Sequence, residues 1–185
     1  ELPFGRGKHW GSGWNGATNA FLGGWQANVI ASIGTGTPFD TTNTIFDTGC
    51  PNGCSIRPNY TGGAKVGYQG RASNANIIWL SAPSTAFMQP AQDPTTGQFA
   101  SVGSLSKNAF YGPGYDPVDF SIFKTFRVTE RVKTEFRAEF YNIFNTPQFA
   151  NPDSNFADFG GNYGTINSTR EFSEREIQFA LRFTF

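Results

Sequence analysis

The sequence predicts an all-β fold of antiparallel strands, and three observations point to it. The composition sets 20 Phe, 22 Gly and 11 Pro against 14 basic and 14 acidic residues in 185, a profile that favours strands and turns over helices. In the last eleven residues, REIQFALRFTF, apolar Ile177, Phe179, Leu181, Phe183 and Phe185 alternate with Glu176, Gln178, Ala180, Arg182 and Thr184. A strand there has one continuous apolar face and one largely polar face. The stretch RVKTEFRAEFYNIFN repeats the pattern: Val132, Thr134, Phe136, Ala138 and Phe140 alternate with Arg131, Lys133, Glu135, Arg137 and Glu139. Charges of both signs along one strand face suit a water-filled or plugged barrel lumen, where cross-strand neighbours pair them. An antiparallel sheet with one face in solvent gives the same alternation.

The chain is long enough for one domain with a sizeable core. Its formal net charge of zero gives no basic surface for nucleic acid, and none is expected as a partner. No run of 18 apolar residues occurs, which excludes a transmembrane helix. A negative mean hydropathy is compatible with lipid contact through strands, because a barrel is apolar only on alternate residues.

Taken in order, residues 1 to 4 read as the end of a strand, with no signal peptide before Glu1; for an exported protein the expectation is a processed precursor or a piece of a longer chain. Residues 5 to 24 form a Gly/Trp-rich connection with a short helical turn over residues 17 to 22. A strand follows from about residue 25 to 34, with Trp25, Ala27, Val29, Ala31 and Ile33 on one face and Gln26, Asn28 and Ser32 on the other; Ile30 breaks the polar face. Trp25 suits a lipid–water boundary, or equally the end of an ordinary sheet.

From residue 37 to 114 the alternation dissolves into Pro, Asn, Thr, Ser and Gly. A stretch that long without structure is odd in a compact soluble domain and expected of a surface loop region in a large barrel, with or without short strands of its own. Its aromatics, Phe39, Phe46, Tyr60, Tyr68, Trp79, Phe87, Phe99, Phe110, Tyr111 and Tyr115, either stack on sugar rings and apolar ligands or, as we favour, pack the loop itself. Cys50 and Cys54 flank Pro-Asn-Gly, a turn triplet able to bring the sulfurs together. A disulfide stapling an exposed loop is the preferred reading, with two free thiols as the alternative. A metal site is disfavoured: the single histidine, His9, lies 41 positions before Cys50, and two cysteines alone supply two ligands.

A strand over about residues 117 to 128 places Phe120, Ile122 and Phe126 opposite Asp119, Ser121, Thr125 and Arg127, with Phe123 and Lys124 out of phase. Thr129 and Glu130 turn it into the charged strand, residues 131 to about 143. Residues 145 to 174 form the next loop, with residues 163 to 169 extending it as a hairpin, and the terminal strand follows.

No catalytic constellation holds. Gly34-Thr35-Gly36 lacks the third glycine of a dinucleotide loop, no P-loop occurs, and His9 has no nucleophile motif near it. Asp153, Asn155 and Asp158 fail the EF-hand spacing and are explained by turns. Glu135 and Glu139 share a face with Arg137 between them, which argues for ion pairing rather than acid/base work. No enzyme and no cofactor is expected.

The run DFSIFKTFRVTERVKTEFRAEFYNIFNTPQFANP (residues 119 to 152) and FGGNYGTINSTREFSEREIQFALRFTF (159 to 185), with its NIFN block and terminal Phe, resembles the C-terminal end of TonB-dependent receptor-like outer-membrane proteins of the Oar-like branch, which carry a carboxypeptidase-regulatory-like domain. ELPFGRGKHW and GGWQANVIASIGTGTPF (23 to 39) also resemble that family; residues 43 to 105 do so weakly. The resemblance implies part of an outer-membrane-type β-barrel with long surface loops, with residues 1 to 185 as one β-rich unit. It implies tight turns on the periplasmic side, Arg131, Lys133, Glu135, Arg137 and Glu139 facing the lumen, and Phe179, Leu181, Phe183 and Phe185 as the barrel assembly signal. The partners implied are outer-membrane lipid and the remainder of the barrel with its plug domain, the whole importing a bulky nutrient. Four strands cannot close a barrel, which takes about eight. The rival expectation is therefore a β-rich fragment whose copies join by strand-edge pairing into an extracellular fibre or tube.

Overall fold

A computed structural model describes residues 1–42, 56–99, 101–156 and 161–185. One short helix, α1 (Gly16–Leu22), precedes β1 (Gln26–Ala31). Two-residue strands follow: β2 (Pro38–Phe39), β3 (Asn59–Tyr60), β4 (Lys65–Val66), β5 (Ile77–Ile78), β6 (Leu80–Ser81), β7 (Phe87–Met88) and β8 (Phe110–Tyr111). The long strands β9 (Val118–Arg127) and β10 (Lys133–Tyr141), the short β11 (Thr165–Ile166) and the terminal β12 (Glu176–Thr184) complete the order. Every strand pair among the described residues is antiparallel. The all-β, open-sheet architecture expected of a partial barrel is the one observed.

The described chain divides into two compact units. The first comprises Glu1–Ile33, Asp116–Pro147 and Glu171–Phe185. It holds a four-stranded sheet in the order β1-β9-β10-β12, in which β1 and β12 have no partner on their outer sides among the described residues. The register is continuous: Ile122 faces Ala27 on one side and Ala138 on the other, and Ala138 faces Phe179 in turn. Because side chains alternate along each strand, this register fixes which residues share a face across all four.

Helix α1 begins where the Asn15 side chain accepts a hydrogen bond from Thr18 N at 2.8 Å, satisfying one orphan donor of the first turn. The β9–β10 connection spans residues 128 to 132: Val128 N donates to Val132 O at 3.0 Å, and Thr129 Oγ1 accepts from Val132 N at 3.0 Å. Arg131 lies in this turn and not on the strand where the alternation placed it. The pattern continues through the turn because a hydroxyl-capped loop has no constraint against charged residues.

At the other end of β10, Asn142 and Asn145 take φ of 46° and 52°, a left-handed conformation that Asn tolerates. Asn142 is buried. Its side chain donates to Thr146 O at 2.9 Å and Ser173 O at 2.5 Å and accepts from Thr146 N at 3.1 Å, while its own N–H donates to Asp119 Oδ1 at 2.9 Å. One residue thus ties together the ends of β9 and β10 and the lead-in to β12.

The second unit comprises Gly34–Tyr115 and Gln148–Arg170. The described residues between 37 and 114 are therefore structured, as a set of two-stranded ladders around a core of Phe39, Leu80, Ala86, Phe87, Leu105, Phe110 and Tyr163. Tyr60 stacks on Phe87 with ring centroids 5.1 Å apart, and Tyr163 meets Phe87 edge-on at 5.5 Å. Phe39, Tyr60, Phe87, Phe99 and Phe110 thus pack the loops themselves, whereas Tyr68 and Tyr111 are exposed; Phe46, Cys50 and Cys54 lie outside the described residues. Strands of two residues escape a period-2 reading, which needs four or more. Residues 163 to 169 do not form a hairpin of their own: β11 pairs with β5, and Thr169 bridges Phe149. Gly164 makes this possible, since its φ of 76° suits glycine and a Cβ there would lie 2.1 Å from Leu80 O.

Candidate functional site

The two faces of the four-stranded sheet differ sharply in chemistry. One carries Ala27, Val29 and Ala31 from β1, Phe120, Ile122 and Phe126 from β9, Phe136, Ala138 and Phe140 from β10, and Ile177, Phe179, Leu181 and Phe183 from β12. Phe179, Leu181 and Phe183 are 67%, 62% and 58% exposed, far too much apolar surface for a face meant for water. Phe185 lies past the end of β12 and is exposed.

The opposite face carries the charges. Arg137 Nη2 lies 3.1 Å from Glu135 Oε1, and its Nη1 lies 3.6 Å from Glu139 Oε1. Both carboxylates are therefore engaged by one guanidinium, in keeping with ion pairing. With Gln178, Ala180 and Arg182, these three line a cleft of about 270 Å³. Lys133 is exposed at the start of β10 beside the turn that holds Arg131. Register orders the charges along the strands: Arg127, Lys133 and Arg182 lie toward the β9–β10 turn, and Asp119, Glu139 and Glu176 toward the other end.

The two residues out of phase in β9 each have a partner. Phe123, on the charged face, lies under the Arg137 guanidinium at 5.5 Å, a cation–π contact that suits an aromatic among charges. Lys124, on the apolar face, is 4% exposed. Its ammonium donates to the Gly23 carbonyl at the C-terminal end of α1 and lies 5.0 Å from the Phe126 ring and 5.6 Å from Trp25. A lysine on an apolar face is tolerated when its stem lies along the face and its head finds an acceptor. The Lys124–Gly23 pairing and the Asn142 ties were missed by sequence reasoning; Lys124 falling out of phase was the signal for the first, and nothing local announced the second.

No helix among the described residues is long and apolar enough to cross a membrane. Among those residues no group of three or more His, Cys, Asp or Glu is placed to hold a metal ion. Asp153 Oδ1 accepts from Asn155 N at 2.8 Å, an Asx turn; Asp158 lies outside the described residues.

The family model described as "Outer membrane beta barrel domain" matches residues 1–178. The chain belongs to this outer membrane beta barrel domain family. No curated protein and no solved structure matched it. An outer membrane beta barrel domain resides in the bacterial outer membrane. The alternation that a soluble sheet would share is thereby assigned to a barrel wall.

Proposed function

We propose that this outer membrane beta barrel domain is the C-terminal part of a TonB-dependent receptor-like transporter for a bulky nutrient, supplying wall strands and surface loops and carrying out no catalysis. The observation that carries this reading is the segregation of the sheet: Phe179, Leu181 and Phe183 on one face, and Glu135, Arg137 and Glu139 joined in ion pairs on the other. A lumen wall needs fixed charges whose neighbours neutralise them, and the Arg137 arrangement supplies that. In this reading the turn at residues 128 to 132 faces the periplasm, and the long connections from β1 to β9 and from β10 to β12 face the cell exterior. The terminal aromatics Phe179, Leu181, Phe183 and Phe185 serve as the assembly signal. Further strands and a plug domain complete the barrel, and no nucleic acid is bound.

The outer edges of β1 and β12, which have no strand partner among the described residues, favour a second reading, in which copies of the chain pair edge to edge outside the cell. The intact mass and N-terminal sequence of the native polypeptide in each cell fraction separate the two. A species several times heavier than 20.2 kDa in the detergent-extracted outer membrane, together with nutrient uptake that stops when the inner membrane is de-energised, supports the transporter. A 20.2 kDa species beginning at Glu1 and recovered outside the cell in large assemblies contradicts it.

A further inference from the structure

The second unit contains an open cleft of about 450 Å³ that the barrel wall does not use, within the size range of small-molecule sites. Its frame is backbone held by hydrogen bonds. β5 pairs with β11, Arg71 bridges Ile77, Phe149 bridges Thr169, and Ala150 N donates to Ser168 O at 3.1 Å. Buried Ile77 and Ile166 form its apolar floor. Phe149 is further fixed by its carbonyl, which accepts from Arg170 Nε at 3.0 Å. The lining side chains are therefore presented on rigid backbone, which lowers the cost of ordering them around a ligand.

The chemistry of that lining is specific. The side chains of Asn76, Asn167, Ser168 and Thr169 have no hydrogen-bond partner among the described residues, so two amides and two hydroxyls present both donors and acceptors. Phe149 contributes a half-buried aromatic ring. Arg71 is the one charged residue in the lining. It donates from Nη1 to Ala75 O at 2.8 Å and pairs with no carboxylate among the described residues, so the rest of its fork is free to take an oxyanion in a bidentate way. A ligand that matches all three features has an apolar ring face, several hydroxyls that both donate and accept, and one carboxylate.

We propose that this cleft binds an acidic saccharide, a uronic-acid unit of a polysaccharide, with its carboxylate on Arg71, its hydroxyls on Asn76, Asn167, Ser168 and Thr169, and its C–H face against Phe149. The inference deepens the transporter reading, on which its biological sense rests, by naming the class of nutrient.

Calorimetric titration of the intact native polypeptide in detergent with digalacturonate, the matched neutral disaccharide and sodium sulfate tests it. Saturable digalacturonate binding is expected, weakened tenfold or more by Arg71→Gln and by Phe149→Ala, with neutral-disaccharide binding changed less than twofold by Arg71→Gln. Because Arg71 also holds the Ala75 carbonyl, an Asn167→Ala/Ser168→Ala variant that alters exposed side chains alone provides a second reading, with a loss of fivefold or more expected. Absence of saturable digalacturonate binding, binding indifferent to these variants, or sulfate competing equally well with no effect of Phe149→Ala would overturn the inference. A protein that resides in the outer membrane and imports a nutrient but binds no uronate overturns the ligand class alone; uronate binding without energised uptake overturns the transporter reading alone.

Discussion

The Arg137 guanidinium lies 3.1 Å from the Glu135 carboxylate, two residues away on the same strand and the same face. With Glu139 on its other side at 3.6 Å, it stands between two like charges on that face. The Arg137 side chain is partly exposed, so each pair contributes in the range of solvent-screened ion pairs. Arg137→Ala is expected to lower stability by about 1 kcal/mol. Adding Glu135→Gln and Glu139→Gln should restore most of the loss, because the repulsion disappears with the charges. Urea unfolding of the three forms in lipid vesicles checks this.

Asn142 is the position where one side chain has the most to lose. Its amide satisfies the carbonyls of Thr146 and Ser173, and its φ of 46° is one that few residues accept. Asn142→Ala is expected to cost about 2–4 kcal/mol, from orphaned buried carbonyls and a strained left-handed backbone. Asn142→Gly relieves the backbone and recovers part of the cost. Denaturant midpoints of the two variants, at unchanged slope, give the comparison.

Thr134 Oγ1 is buried on the apolar face without a hydrogen-bond partner among the described residues. Its cross-strand neighbours are Phe126 and Phe183, neither of which offers an acceptor in its side chain. Thr134→Val keeps the shape and removes the unsatisfied hydroxyl, and is expected to stabilise the fold by about 1 kcal/mol. An unchanged or lower unfolding midpoint would contradict that assignment.

In the second unit, the Tyr163 hydroxyl lies 3.0 Å from Thr41 Oγ1 in the core, and burial holds its pKa well above that of an ordinary phenol. The unfolded chain ionises this group near pH 10 while the folded chain still keeps the proton. The unfolded state then binds fewer protons, so stability falls as pH rises. The contribution is complete below about pH 10 and is lost as pH climbs from there toward the folded value. Ultraviolet titration of tyrosinate should show a phenol that ionises late and only on unfolding, absent in Tyr163→Phe; that variant should also lose about 1 kcal/mol from the missing hydrogen bond.

The long strands were legible in the sequence because period-2 alternation and register are the same physics: Phe136, Ala138 and Phe140 on one face force Glu135, Arg137 and Glu139 onto the other. The exceptions at Phe123 and Lys124 were visible as exceptions, but their partners were not, since Arg137 and Gly23 meet them only through sheet register and the packing of α1. Residues 37 to 114 were opaque for a different reason. A ladder of two residues, such as Asn59–Tyr60 on Phe87–Met88, has no periodicity to read, and its stability comes from the aromatic core it encloses. The cleft beside Arg71 was hidden in the same way, because Arg71, Phe149 and Ser168 are brought together by β5–β11 pairing across distant segments.

The central claim is that one face of the sheet meets lipid and the other meets water. Spin labels placed singly at residues 177 to 182 of the intact polypeptide in outer-membrane lipid test it most directly, through accessibility to oxygen and to a water-soluble nickel chelate. The account predicts a period of two: positions 177, 179 and 181 favour oxygen, and positions 178, 180 and 182 favour the chelate. Equal access to the chelate at all six positions would contradict it, placing both faces of β12 in water and removing the barrel wall from the account.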